Sequence, residues 1–142
     1  MKNDKGLTVL ELLVTIGVFW ILLLLTAPGL SAFFTRMEFH AALRCVTAGL
    51  STARCQAVRD NRSVRAEIAG GRLSLSRDDG QGWREFRGFD LGNKVAVHAN
   101  TRPVFSPLGG VSPLCTITLE RRGRVCRVVV SMYGRIRVYN GA

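Results

Sequence analysis

The chain has 142 residues, 47% of them hydrophobic, with 20 Lys+Arg against 10 Asp+Glu and four cysteines. That length leaves room for one ordinary domain, not two. The net charge of +10 argues against cationic partners and favours anionic ones: nucleic acid, lipid headgroups or an acidic protein face.

Residues 1–6 form a short polar leader carrying Lys2 and Lys5 and ending in glycine. Beyond it, Glu11 and Arg36 bracket 24 consecutive uncharged residues rich in Leu, Ile, Val and Phe. As a helix that run reaches ~36 Å, enough to cross the hydrocarbon core of a bilayer. A cleaved secretory signal is the rival reading, since residues 26–31 loosely fit a small-residue cleavage site, although its apolar region is usually shorter. Three details do not suit an ordinary anchor. Gly6 immediately precedes the apolar run, Glu11 places a carboxylate inside it at a cost of a few kcal/mol, and Pro28-Gly29 should loosen the helix. The segment Gly6-Leu7-Thr8-Val9-Leu10-Glu11-Leu12-Leu13 resembles the class III signal of type IV pilins and of type II secretion pseudopilins, with Leu7 where phenylalanine is commonest. The resemblance implies cutting by a prepilin peptidase between Gly6 and Leu7 and methylation of the new Leu7 amine. It also gives Glu11 an assembly role, pairing with the terminal amine of a neighbouring subunit. Lys2 and Lys5 keep the leader cytoplasmic, so the head is expected in the periplasm and the anchor in the inner membrane. The expected divisions are leader 1–6, transmembrane and filament-core helix 7–35, and globular head 36–142.

From 36 to 59, Phe39, Leu43, Val46, Leu50, Ala53 and Ala57 recur at steps of three and four, which places them on one helical stripe. Ala41, Ala42, Ala48 and Gly49 beside the stripe would let a sheet approach closely. The apolar helix is therefore expected to continue into the head until Asp60-Asn61 ends it. Strands are expected at 63–68 and 72–77 around Gly70-Gly71, then at 83–87 and 94–99. Pro103, Pro107 and Pro113, with Gly109-Gly110 between them, mark a loop. Residues 115–120 and 125–131 flank a hairpin turn at Arg122-Gly123, and 135–139 form a last strand. The fold class is α+β: a long N-terminal hydrophobic helix packed on antiparallel sheet, the architecture a pilin resemblance implies.

The head carries 18 Lys+Arg against 8 Asp+Glu, and 17 of the 18 are arginine, whose planar fork grips phosphate or carboxylate. Ala53-Arg54-Cys55-Gln56-Ala57-Val58, Phe105-Ser106-Pro107-Leu108-Gly109 and Gly134-Arg135 resemble the FimT/GspH group of minor pilins and pseudopilins. Some FimT-like members bind DNA for uptake through a C-terminal Gly-Arg-x-Arg, which Gly134-Arg135-Ile136-Arg137 fits. The last 22 residues hold six arginines and no acid. The candidate DNA-binding set is thus Gly134, Arg135, Arg137, Arg127, Arg124, Arg122 and Arg121, with Arg135 and Arg137 on one strand face ~7 Å apart. Two function classes stay open: a structural tip subunit that contacts other subunits, and a filament subunit that is itself a DNA receptor for natural transformation.

Cys45, Cys55, Cys115 and Cys126 lack the short spacing of zinc or redox sites, and an even count in an exported head favours disulfides over metal. In a continuous helix Cys45 and Cys55 stand ~15 Å apart along the axis, too far to bridge. A two-residue turn at Arg122-Gly123 sets Cys126 opposite Leu119 and out of reach of Cys115. Two helix-to-sheet disulfides, in either of the two remaining connectivities, are therefore favoured over the alternative of buried free thiols. No cofactor or metal is implied. No phosphate-cradling glycine loop, paired catalytic carboxylates or Ser/His or Cys/His arrangement is present in the sequence, so an enzyme is not expected.

Overall fold

A computed structural model describes residues 8–141, apart from the side chains of 25–32. In chain order it contains α1 (Val9–Asp60), β1 (Val64–Ala69), β2 (Arg72–Asp78), β3 (Trp83–Asp90), β4 (Ala96–Ala99), β5 (Val104–Phe105), β6 (Val111–Ser112), β7 (Cys115–Arg121), β8 (Arg124–Val130) and β9 (Ile136–Asn140). The helix assignment carries through positions 28 and 29, so α1 runs on into the head as expected. The chain divides into two compact units, Met1–Arg36 and Met37–Ala142.

In the first unit, every described side chain from Val9 to Leu24 is exposed. Among the described residues no helix is long and apolar enough to cross a membrane.

The second unit is α+β. Its strands form two antiparallel sheets, one ordered β3-β2-β1-β5-β6 and the other β4-β7-β8-β9. One face of α1 packs on both: Phe39, Ala42, Val46, Leu50, Ala53 and Ala57 are buried with Val64, Leu73, Leu75, Phe105, Ile117, Leu119, Val128 and Val130. Burying each large aliphatic side chain contributes about 1.5–3 kcal/mol, and this cluster is the source of the head's stability. Ala42 lies in the core where the stripe named Leu43, which is only partly buried. Gly49 marks the close approach of helix and sheet, because a Cβ there would collide with Leu73 and lie 3.3 Å from Phe89 Cδ2.

The 115–131 hairpin has the expected register, with Leu119 opposite Cys126 and Arg121 opposite Arg124. Arg122 and Gly123 both have positive φ, 45° and 78°, as a two-residue type I′ turn requires. The 103–113 segment differs from the expected loop. Phe105 pairs with Val64 of β1 and with Val111 of β6, because this fully buried aromatic anchors an otherwise turn-rich stretch in the core.

Candidate functional site

The alternation of β8 places Arg127. Cys126, Val128 and Val130 are buried, so Arg127 and Val129 face outward. Arg127 is opposite Tyr139 and Val129 opposite Arg137 on β9. Arg137, Tyr139 and Arg127 therefore share the outer face of the second sheet, and Arg135 precedes them with the same parity. All four are exposed. The outer row continues from Arg127 to Thr118 on β7 and His98 on β4. Val138 points the other way but is 44% exposed, because β9 is an edge strand.

Ion pairs engage several of the head's other basic side chains but not these. Asp60 binds Arg77, Glu67 binds Arg102, Asp79 binds Arg62 and Arg77, and Glu85 binds Arg72. Arg65 lies over the Trp83 ring and Arg87 over Phe89. Among the described residues, Arg124, Arg127, Arg135 and Arg137 have no carboxylate within ion-pair distance.

Two members of the expected DNA-binding set belong elsewhere. Arg121 has the same parity as buried Cys115, Ile117 and Leu119, and its side chain is only 10% exposed and paired with Glu38. Lys94, at 2.8 Å, and Arg121 together hold the Glu38 carboxyl below the usual carboxylate range. Gly134 is buried with φ 71°. A Cβ there would collide with the Gly109 carbonyl oxygen and lie 2.8 Å from Arg54 Nε. Its role is to let two turns and a helix side chain meet. Arg122 is exposed at the hairpin tip.

That meeting joins three separated segments: 53–58 on α1, 105–109 in the β5–β6 turn, and 134–135 before β9. Arg54 lies across both glycines, its Nε 3.4 Å from where a Gly109 Cβ would stand. Nothing in the sequence marks Arg54 on its own as functional. Its signal was the shared pattern of those three segments, whose spatial convergence is invisible in one dimension.

The expected helix-to-sheet disulfides are not formed, and all four cysteines are free thiols. Cys55 is exposed, away from the helix face that packs on the sheets, while Cys45 is half-buried. Cys115 and Cys126 are buried; the Cys115 thiol donates to the Thr101 carbonyl at 3.4 Å and Cys126 to Asn140 Oδ1 at 3.6 Å. Burial pushes both of these thiols up from their ordinary pKa. Since the thiolate is the reactive form, maleimide should label Cys55 in the folded protein and reach Cys115 and Cys126 only on unfolding. Peptide mapping without reduction checks this, and recovery of a helix cysteine linked to a sheet cysteine would reinstate the crosslinks.

At the other end, Gly6 and Leu7 lie outside the described residues. Glu11 is in the first turn of α1, where a carboxylate suits the helix dipole. Its amide donates to Thr8 Oγ1 at 3.3 Å, so Thr8 acts as the N-cap of the helix.

No family model matches the chain. The pilin-like protein PilA1 of Thermus thermophilus is 32% identical over 157 aligned positions, covering 94% of this chain and 97% of the relative. The chain belongs to the type IV pilin superfamily. In fold, the pilin is similar to the type IV minor pilin FimU of Pseudomonas aeruginosa, with a TM-score of 0.62 and 21% identity over 75% of this chain and 92% of that one. It is also similar to the minor pseudopilin EpsH of the Vibrio cholerae type 2 secretion system, with a TM-score of 0.58 and 13% identity over 71% and 94%. These two likenesses establish the α+β fold alone. All three proteins are pilins or pseudopilins by name, which is consistent with a pilin that is not an enzyme.

Proposed function

We propose that this pilin is a minor subunit of a type IV pilus or type II secretion pseudopilus, and that its head binds the DNA backbone. The exposed face bearing Arg127, Arg135 and Arg137 without carboxylate partners carries the DNA reading. Side chains of one sign on one strand face suit successive phosphates, without sequence preference. The filament reading is supported by family membership and by the names of FimU and EpsH, a minor pilin and a minor pseudopilin. The 24 uncharged residues between Glu11 and Arg36 support an inner-membrane anchor with the head in the periplasm. Prepilin peptidase is the processing partner, cutting between Gly6 and Leu7. Glu11 then pairs with the Leu7 amine of a neighbouring subunit, which offsets the cost of a carboxylate in lipid and sets the register of an open helical stack.

Intact-mass measurement of membrane-extracted protein should show loss of residues 1–6 plus one methyl. Glu11→Ala should leave cleavage intact but deplete the chain from sheared filaments about tenfold, equivalent to ~1.4 kcal/mol of lost pairing. Cleavage near Ala27 or Ser31 would end the filament reading.

A further inference from the structure

Two β-turns stand side by side next to the C-terminal part of α1. In one, the Gly109 amide donates to the Ser106 carbonyl at 2.9 Å, with Pro107 and Leu108 at the tip. In the other, the Gly134 amide donates to the Ser131 carbonyl at 2.8 Å, with Met132 and Tyr133 at the tip. The turns are tied together by the Val111 amide donating to the Met132 carbonyl at 2.9 Å and by the glycine contact described above. Turn tips ordinarily hold Gly, Pro, Asn, Asp or Ser, for reasons of backbone conformation and local hydrogen bonding. Here Leu108 is 97% exposed, Tyr133 75% and Met132 58%. None of the three belongs to the core, so the fold has no use for their apolar surface. Val58, also exposed, reaches within 3.6 Å of the Gly109 Cβ position.

Arg54 lies among these residues, braced on Gly109 and Gly134, with no carboxylate partner among the described residues. Tyr, Met and Arg are the residue types enriched at protein interfaces, and a guanidinium ringed by apolar surface gains most from a carboxylate that it can partly desolvate. A nucleic-acid backbone offers phosphate for Arg54 but nothing for Leu108 and Met132. A second copy of this chain is disfavoured, because the head carries 18 Lys+Arg against 8 Asp+Glu and like-charged heads repel.

We propose that the two turns, with Val58 and Arg54, form the docking surface for a different subunit of the same filament, one that presents a carboxylate flanked by apolar side chains. This rests on the filament-subunit reading but not on DNA binding. The test uses the full-length chain in cells that assemble the filament, with a photoreactive benzoylphenylalanine in place of Leu108 or Tyr133. Irradiation should give adducts to a peptide of another filament subunit containing Asp or Glu. Arg54→Glu should cut the yield at position 108 at least tenfold, and Leu108→Asp should do the same at position 133, with chain abundance in the membrane unchanged. Adducts to a second copy, to nucleic acid or to lipid overturn the proposal, as does a yield indifferent to Arg54→Glu and Leu108→Asp. A chain present in sheared filaments without such adducts overturns this proposal alone. A chain absent from them overturns the filament reading as well.

Discussion

Gly134→Ala should destabilise the head by about 2–5 kcal/mol, with no change to any charge on the arginine face. Two costs add. An L-residue at φ 71° carries the left-handed penalty of roughly 1–2 kcal/mol. The new methyl also meets the Gly109 carbonyl oxygen and Arg54, where backbone on one side and a braced side chain on the other leave little freedom to yield; overpacking of this kind costs typically about 1–3 kcal/mol. Gly123→Ala separates the two costs, because its φ of 78° is similar but a Cβ there meets nothing within 4 Å. It should lose only about 1–2 kcal/mol. Thermal unfolding of the full-length chain in detergent, followed by circular dichroism, measures both. Equal losses would mean that the contact of the two turns is looser than the structure has it, and would weaken the case for a preformed docking surface around Arg54.

The same glycine shows where sequence reasoning succeeds and where it stops. Gly134 stood out as part of Gly-Arg-x-Arg, but only the fold shows that it is needed for packing while Arg135 and Arg137 carry the exposed charge. Local rules worked where the physics is local. The Arg122-Gly123 turn fixed the hairpin register, and with it the pairing of Leu119 and Cys126. The three-and-four spacing found five of the six buried apolar side chains on the described part of the helix, missing Ala42. Strand alternation also held the information about Arg121, which shares the inward parity of Ile117 and Leu119; reading the basic residues as one block hid it. Phe105 was hidden for a different reason. Its strand is two residues long, flanked by prolines and glycines, and only burial against β1 distinguishes it from loop. The cysteine spacings ruled out pairings by distance, yet could not determine whether any thiol was within reach of another.

Replacing Arg127, Arg135 and Arg137 together by Gln should abolish most DNA retention at moderate salt and flatten its salt dependence. Each phosphate neutralised contributes about 0.9 to the slope of log K against log salt on duplex DNA, so three lost contacts lower the slope by about 2.7. The effect should be the same for every sequence, because backbone contacts carry no base information. Stability should change little, since all three side chains are exposed and lack ion-pair partners among the described residues. Arg121→Gln is the informative contrast. Its side chain is 10% exposed and committed to Glu38, so the substitution should weaken folding while leaving the slope of the remaining folded protein unaltered. Fluorescence anisotropy with labelled duplexes, using the full-length chain in non-ionic detergent, gives both quantities. If the wild-type chain retains no DNA at low salt, or the triple variant keeps its slope, the arginine face is not a DNA site. Its unpaired guanidinia would then be available to acidic neighbours in the filament, extending the same chemistry that Arg54 offers at the paired turns.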